Sequence, residues 1–328
     1  MSLANKLRKR RHTLLESWRR LQARGEDWRS PPASSRQYRC RRFAENPIIH
    51  PGMDASLGSN LMGPCLIRVP DWVARPLGRY YLYFSHHHGQ HIRLAYADDL
   101  HSPWRIYPGG VLGLDGGDGC PRANLRVAAP DVHVDHDRRR FRMYFRNVVS
   151  SYLALSADGL AFQPGVEALA PPYVRVFEHD GWHYAIAKPD GPGGGGRLLR
   201  SRDGLSAFES GPDLLPRQRH VAVIKRAEGL EIFHTRIGDR PERILLSRMP
   251  LVGDWRTWAP GRPEEIARPE QAYEGMHAAL CGSRQGAAHG PVRELRDPAV
   301  YEEDGRLYLA YACAGESALA LAELQRLA

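Results

Sequence analysis

The sequence predicts an all-β protein, folded as a five-bladed β-propeller with a short N-terminal helical extension. The main observation is a pattern that occurs five times: an apolar run, a polar turn, an aromatic-rich run, a loop, and a run of Ala, Leu and Ser. Strand–turn–strand units that recur about every 40–80 residues are typical of propeller blades. A second observation is the content of 25 Pro and 32 Gly, which suits a fold with many tight turns. The five copies occupy 64–99, 130–162, 173–205, 220–249 and 298–324.

The first 33 residues are predicted to be separate from the propeller, which would cover 34–328. Leu7, Leu14 and Leu21 fall near one face of a basic helix that is expected to run to about Arg24. An apolar stripe on a polar helix has to be covered. It either packs on the side of the propeller or reaches a second subunit, which would make a homodimer.

The last blade is predicted to borrow its outer strand from the N-terminal side of the chain, within 38–50. The other four blades end in a segment led by an aromatic residue, such as Trp255–Gly261 in the fourth, whereas the fifth stops without one. Arg41–Ile49 has the same pattern, and pairing with Ala318–Leu324 would cover an exposed edge. The alternative is a three-stranded blade with 41–49 lying across the face as a loop. The blades are expected at about 60–115, 125–170, 171–215, 218–262 and 292–328.

Composition and charge favour a cytoplasmic protein without a nucleic-acid or membrane partner. Much of the net charge of +9 lies in the first 42 residues, and elsewhere Arg alternates with Asp and Glu as on a solvated surface. No run approaches the roughly 20 apolar residues of a membrane span. The N-terminus shows no apolar core of a secretory signal. Five cysteines without C-x-x-C spacing fit reduced thiols better than disulfides.

The order of strands within a blade separates structural aspartates from candidate functional residues. The Asp180-Gly181 and Asp304-Gly305 pairs are typical of tight hairpin turns on one face, and Asp158 and Asp203 repeat a second turn motif. These aspartates are expected to form turns only. On the other face, the loops that enter the innermost strands lie beside the loops between second and third strands. Polar groups that converge there at the axis would bind a polyhydroxylated ligand.

The candidate substrate-binding residues come from these loops. Arginine binds carboxylates through two parallel hydrogen bonds, so several arginines indicate an acidic sugar. The alternative is that they neutralise neighbouring aspartates. The candidates are Asn60, His88, Arg146, Asp239, Arg240, Arg243, Arg296 and Glu316.

Three motifs resemble the five-bladed propeller glycosidases, the arabinanase and β-xylosidase clan that includes glycoside hydrolase family 43. They are ENPIIHP at Glu45–Pro51, APDVHVD at Ala129–Asp135 and LRDPAVYEEDGRLYLAYA at Leu295–Ala312. The resemblance covers the chain from Tyr38 onward. It implies a glycosidase with three carboxylates around the axis: a base, a pKa-modulating Asp and a Glu acid.

The catalytic positions follow this pattern only in part. Asp131 matches the modulator position in the second blade, and Asp297 matches an Asp-Pro entry in the last blade. The first-blade position of the base is Gly63, with Asn60 nearest, and the third-blade entry near Tyr173 lacks the Glu. The chain therefore resembles a divergent subgroup of the clan.

Glycoside cleavage needs one group to protonate the leaving oxygen and another to activate water or attack. Asp131 at a strand entry would be partly desolvated, which raises a carboxyl pKa. Glu274 lies in the insertion before the last blade, which would deliver an acid as a lid over the face. His220 is the alternative acid, and Asp297 completes the catalytic candidates. The structural alternatives are a strand-entry cap for Asp131, a solvated loop charge for Glu274, and an ion pair with Arg296 for Asp297.

The predicted activity is hydrolysis of a small oligosaccharide, acidic if the arginines bind it, without a cofactor. Adjacent histidines at a strand end, as in 86–91, point apart and do not make a metal site; a divalent cation at the axis would contact His220 instead. The absent first-blade carboxylate favours one alternative, an inactive sugar-binding or assembly propeller. A second alternative is a lyase or isomerase acting on uronic acids.

Overall fold

The structure is a computed structural model that describes residues 33–34, 37–87, 89–113, 126–189 and 194–327. The predicted N-terminal helix, and with it the homodimer, lies outside these residues, as does His88. The described chain is nearly all β, with one-turn 3₁₀ helices at Pro51–Met53, Ala55–Leu57, Trp255–Thr257 and Ala272–Glu274. The strands are β1 (Ala33–Ser34), β2 (Tyr38–Arg42), β3 (Met62–Arg68), β4 (Tyr80–Ser85), β5 (His91–Ala97), β6 (Arg105–Ile106), β7 (Leu112–Gly113), β8 (Ala128–Asp135), β9 (Arg140–Arg146), β10 (Ser151–Ser156), β11 (Gln163–Pro164), β12 (Arg175–His179), β13 (Trp182–Ala187), β14 (Gly196–Ser201), β15 (Glu209–Leu214), β16 (Gln218–Arg226), β17 (Gly229–Arg236), β18 (Ile244–Met249), β19 (Glu264–Ala267), β20 (Arg296–Glu303), β21 (Arg306–Cys313) and β22 (Ala318–Arg326).

The strands form five antiparallel sheets that close into a ring, which confirms the predicted five-bladed propeller. From the inside outward the sheets are β3-β4-β5-β6, β8-β9-β10-β11, β12-β13-β14-β15, β16-β17-β18-β19 and β20-β21-β22-β2. The innermost strands contact their neighbours around the ring, with β20 against β3 at the closure. Each sheet packs its face against the next, so five clusters of buried residues lie between adjacent blades.

The fifth blade takes its outer strand from the N-terminal side of the chain. Tyr38–Arg42 pairs antiparallel with Ala322–Arg326, in a register that sets Tyr38 opposite Arg326. The ladder thus begins three residues before the predicted Arg41 and ends at Arg42. A separate bridge joins Ile49 to Leu319. The first and last described parts of the chain are therefore held in one sheet.

The outer strand of the fourth blade differs from the sequence prediction. Trp255–Thr257 forms a 3₁₀ turn, and the outer strand is β19, which pairs with β18 and carries the two-residue β1 on its far side. Trp255 and Trp258 are buried against Tyr184 of the third blade. Burial of these two rings between blades takes the aromatic-led segment out of the sheet.

The aspartates assigned to turns do form turns. Both residues of Asp180-Gly181 have positive φ, 48° and 71°, and both residues of Asp304-Gly305 have φ of 50° and 73°. This is the mirror-image turn that joins two strands tightly. Asp158 and Asp203 each accept two backbone N–H groups within their own loop, so the prediction is confirmed for all four.

Buried tyrosines of the middle strands connect neighbouring blades. The hydroxyl of Tyr83 donates to the carbonyl of Gly159, and that of Tyr144 donates to Gly204, each one blade further along. Both glycines have positive φ, and an added Cβ would approach the tyrosine hydroxyl to 2.8 Å and 2.9 Å. The glycine allows the loop to approach, and the bond satisfies a phenol that would otherwise be buried without a partner.

No helix in the described part of the chain has the length and hydrophobicity to cross a membrane.

Candidate functional site

Most of the innermost strands begin with an irregularity in their pairing with the second strand of the blade. In four blades the register shifts at the strand entry: between Met62 and Cys65, Ala128 and Asp131, Gln218 and Val221, and Arg296 and Ala299. Bulges of this kind re-aim side chains and are common beside functional sites. In these four blades the residue that follows the first residue of the shift occupies an equivalent position: Gly63, Ala129, Arg219 and Asp297. Tyr173 is the matching residue of the third blade.

Asp297 and His220 form a buried pair at the axis. His220 Nδ1 lies against Asp297 Oδ1, and both side chains are almost completely shielded from solvent. Burial and the nearby charge of Glu316 raise the pKa of Asp297 to about 6. Burial, with the positive charges of Lys188 and Arg219, holds the pKa of His220 well below its usual value. Both shifts favour uncharged groups, so below about pH 6 a carboxylic acid meets a neutral imidazole rather than an ion pair.

Glu316 is the opposite case, a carboxylate fixed in its charged form. It accepts hydrogen bonds from Asn60 Nδ2 at 2.5 Å and Arg296 Nη1 at 2.8 Å, and His87 Nδ1 lies 3.4 Å away. Burial acts to raise its pKa. The hydrogen bond and charge of His87 and the charge of Arg296 outweigh burial and set the pKa at about 2. Glu316 is thus a permanent negative charge next to Asp297.

A cavity of about 260 Å³ opens beside the Asp297–His220 pair. Its walls include His220, Tyr173, Arg146, Lys188 and Arg219. The Tyr173 and His220 rings lie 4.7 Å apart between centroids, and the Arg146 guanidinium covers the Tyr173 ring at 4.1 Å. The cavity is therefore cationic and aromatic and lies next to a carboxyl group that holds a proton up to about pH 6.

The structure brings together about half of the predicted site residues. Asn60, Arg296, Glu316, Asp297 and His220 form one connected cluster, and Arg146 lines the adjoining cavity. Arg296 also bonds to Glu294 at 2.7 Å, and its predicted ion pair with Asp297 is replaced by the contact of Asp297 with His220.

Three predicted binding residues of the fourth blade lie in contacts outside the cavity. Arg243 Nη1 donates to Glu265 at 2.9 Å, and Asp239 accepts from Arg217 and Arg236. Arg240 Nε donates to a backbone carbonyl at 2.9 Å and is exposed. For Arg243 this is the neutralising alternative that the sequence left open.

Asp131 lies between blades. Its carboxylate accepts the backbone N–H of Val176 at 2.9 Å and contacts His133 Nε2 at 3.0 Å. The bulge places Ala129, and not Asp131, at the position equivalent to Asp297. Burial acts to raise the pKa of Asp131, but the charge and hydrogen bond of His133 outweigh it, so the net shift is downward. The expectation of a raised pKa is therefore wrong.

Glu274 is completely buried, and both of its carboxylate oxygens are hydrogen-bonded. Its carboxylate accepts from Arg42 at 2.6 Å, from the Tyr311 hydroxyl at 2.7 Å, and from two backbone N–H groups of its own segment. Glu274 is therefore neither an acid delivered to the site by a lid nor a solvated loop charge. It anchors the insertion to the fifth blade. The insertion reaches the cavity instead through Gly286, whose carbonyl accepts from Arg219 and Arg296.

Five charged or aromatic residues of the cavity are not among the predicted site residues: His87, Arg126, Tyr173, Lys188 and Arg219. Tyr173 and Arg219 occupy the same bulge position as Asp297, so an alignment of the strand entries by bulge would have found them. Lys188 follows β13, at the second-to-third loop that already supplied Arg146 in the preceding blade. Within the described residues, no three His, Cys, Asp or Glu side chains are grouped to hold a metal ion.

A larger cavity of about 400 Å³ lies elsewhere, at the outer edge of the fourth blade. Its main carboxylate, Glu231, is held by Arg226 at 3.1 Å and by the Tyr38 hydroxyl at 2.9 Å. No buried polar group in this cavity is left for a ligand in the way that Asp297 is at the axis.

Several solved structures share this fold at low sequence identity. A thermostable family-43 glycoside hydrolase is 15% identical, with 82% of this chain and 90% of that chain covered and a TM-score of 0.55. A beta-1,2-mannobiose phosphorylase from Listeria innocua is 12% identical over 87% and 96%, with a TM-score of 0.60. The catalytic domain of a GH62 alpha-L-arabinofuranosidase from Coprinopsis cinerea is 14% identical over 88% and 97%, with a TM-score of 0.56. These likenesses confirm the resemblance at the level of the fold.

At the level of sequence, no protein-family model matches the chain. "Uncharacterized protein R118" of Acanthamoeba polyphaga mimivirus is 34% identical over 326 residues, which cover 87% of this chain and 90% of the viral protein. This degree of similarity extends over nearly all of both chains. The chain therefore belongs to the same protein family as the mimivirus protein, a family with the five-bladed propeller fold.

Proposed function

We propose that this protein cleaves a glycosidic bond of a small oligosaccharide in the axial cavity, with Asp297 as the general acid. The observation that carries the proposal is a buried carboxyl group with a pKa of about 6, in contact with His220 and next to a cavity. Structural neighbours named as glycoside hydrolases and a phosphorylase support a sugar as the ligand.

The chemistry needs a proton for the leaving oxygen. Asp297 Oδ2 has no hydrogen-bond partner among the described residues, so it is the free oxygen of the pair. His220 orients the other oxygen, and the fixed charge of Glu316 keeps the proton on Asp297 at higher pH than burial alone would. A general acid works best with a pKa near the working pH, so a pKa of about 6 would suit Asp297 to mildly acidic conditions.

A second candidate is a propeller that binds sugar without turnover. In the described lining of the cavity there is no Asp or Glu, and the nearby Glu316 is fully hydrogen-bonded. A side chain at the first-blade position would be strained, because Gly63 has a φ of 60° and its Cβ would lie 3.1 Å from the Ala129 Cα. A lyase with a tyrosine base is disfavoured, since burial raises the pKa of Tyr173.

The test is turnover of a panel of aryl-glycosides and uronate oligosaccharides by wild type and Asp297→Asn. Loss of a general acid is expected to lower kcat/KM by about 10²–10⁴-fold, while sugar binding measured by calorimetry persists. Asp304→Asn is the matched control, an exposed turn aspartate with positive φ that Asn tolerates. Equal activity of wild type and Asp297→Asn would exclude Asp297 as the acid. Sugar binding without turnover of any substrate would favour the inactive alternative.

A further inference from the structure

The axial cavity carries an excess of positive charge. Four cationic side chains line it, Arg126, Arg146, Lys188 and Arg219, whereas its described lining contains no Asp or Glu. A neutral oligosaccharide would be bound mainly by hydroxyl and amide groups and by aromatic faces. Four cations in about 260 Å³ therefore call for a different ligand group.

Among the residues that the structure describes, one of these four cations has a carboxylate partner. Arg219 is held by Glu242, with Nε 2.8 Å from Oε1 and Nη2 2.9 Å from Oε2. Arg146 donates from Nη1 to the Asn147 carbonyl and stacks on Tyr173, but forms no ion pair with a described residue. Lys188 and Arg126 likewise form none within the described part of the chain. Three cations thus line one cavity without an ion-pair partner among the described residues.

Such an arrangement is unfavourable in the empty protein. Like charges in a partly desolvated site repel, and each loses hydration without a partner. Lys188 is affected in this way, because burial and the charges of Arg219 and Arg146 lower its pKa to about 8. A bound anion would offset both the repulsion and the lost hydration. The carboxyl groups that face this cluster, Asp297 and Glu242, are already committed to His220 and Arg219.

We infer that the cavity is an oxyanion site, built by Arg126, Arg146 and Lys188 to hold a phosphate or carboxylate group beside Asp297. Arginine and lysine supply the charge-assisted N–H donors that both groups require. The inference rests on the proposed function in one respect: the oxyanion belongs to the reaction only if a sugar is cleaved there. The two sources of the oxyanion are inorganic phosphate and the carboxylate of a uronic acid.

Inorganic phosphate would explain why the described lining of the cavity contains no carboxylate that could activate water. A phosphate oxygen would form a bond to the anomeric carbon while the glycosidic carbon–oxygen bond breaks. The leaving oxygen would take the proton of Asp297, and the products would be a glycosyl phosphate and a free sugar hydroxyl. In this reaction the nucleophile arrives with its own charge, so the protein supplies cations and one acid and needs no base to activate water.

The experiment is isothermal titration of the full chain with inorganic phosphate and, separately, with glucuronate. We expect one of them to bind with a Kd below about 10 mM, and Lys188→Gln and Arg146→Gln each to raise that Kd at least tenfold. Arg138→Gln is the control, since the Arg138 side chain is 67% exposed and its nearest carboxylate contact, with Asp135, is as long as 3.7 Å. Binding of phosphate identifies phosphate as the source, and binding of glucuronate alone identifies the uronic acid. Failure of both to bind, or equal loss in the control, would overturn the inference.

Two further variants keep the result independent of folding and of the proposed reaction. Lys188→Arg keeps the charge and should retain most of the affinity, so a loss equal to that of Lys188→Gln would indicate a packing role. Below pH 6, where Asp297 is mostly uncharged, Asp297→Asn should bind the anion about as tightly as wild type while it fails to cleave glycosides. Anion binding without any turnover in wild type would therefore refute the proposed function and leave the oxyanion site standing.

Discussion

At the scale of single residues, two neighbouring carboxyl groups differ in charge because of their hydrogen bonds. Glu316 has three polar neighbours that favour its ionised form, whereas Asp297 has only His220. Burial therefore leaves Glu316 charged, whereas Asp297 keeps its proton until the pH rises to about 6. Pairs of carboxyl groups with separated pKa values are a common arrangement for acid catalysis.

This difference predicts a pH profile. If protonated Asp297 is the acid, kcat/KM should fall as the pH rises through about 6, with the slope of one proton. The negative charge of Glu316 raises the pKa of Asp297, so Glu316→Gln should move the falling limb to lower pH. Exposed Glu167, which has no ion pair in the described chain, gives the control Glu167→Gln. A limb that stays in place in Glu316→Gln would show that another group titrates.

The residue scale is also where sequence reasoning fell short. The motif of Ala129–Asp131 looks like that of Arg296–Pro298, but the bulge register shifts the carboxylate by two residues, onto a surface between blades. Alternation along a strand predicts which face a residue takes, and one inserted residue reverses it. A bulge depends on contacts with neighbouring blades, so the local pattern does not reveal it.

At the scale of elements, the insertion before the fifth blade is anchored rather than free to act as a lid. Glu274 joins it to β2 through Arg42 and to β21 through Tyr311. These partners are 232 and 37 residues away in sequence, so no local pattern could assign them. When a buried carboxylate is paired with an arginine, the loss of either partner strongly lowers the stability of the fold.

Glu274→Gln should therefore destabilise the fold by about 3–5 kcal/mol, the usual cost of breaking a buried charge pair. Chemical denaturation measures this loss, and kcat per folded molecule should stay at the wild-type value. Glu270→Gln is the matched control, because Glu270 contacts the same Arg42 at 3.0 Å but is 56% exposed. A large loss of kcat in folded Glu274→Gln would restore Glu274 as a candidate acid.

The closing strand depends on one asparagine. The Asn46 side chain donates to the Leu321 carbonyl at 2.7 Å and accepts the Leu321 N–H at 2.8 Å, and so continues the ladder where β2 has ended. Asn46→Ala leaves the Leu321 N–H without this acceptor, while the Leu321 carbonyl keeps the Phe43 N–H at 3.1 Å, and should cost about 1–3 kcal/mol in the free energy of unfolding. Glu45→Ala, at the exposed neighbour, should have little effect. Equal melting temperatures for both variants would mean that this segment adds nothing to closure.

At the scale of the whole molecule, the fold could be predicted because its signals repeat. Aromatic residues in the middle strands recur from blade to blade, and Asp-Gly turns occur in three of the five blades, so an error in one blade does not change the architecture. The site has no such redundancy, since Gly63, Ala129, Tyr173, Arg219 and Asp297 each occupy one equivalent position with different chemistry. The residues that build the blades therefore follow the repeat, whereas the residues at the site do not.

Closure by β2 also has a consequence for how the protein is made. Asn46 leaves the ribosome 275 residues before Leu321, its partner, which at 5–20 residues per second is a delay of roughly 14–55 s. During that time β2 is a strand with an open edge, which invites pairing with other nascent chains. Its sequence, Tyr-Arg-Cys-Arg-Arg, carries three positive charges in five residues. Mutual repulsion between copies would keep this strand available until the last blade has been synthesised.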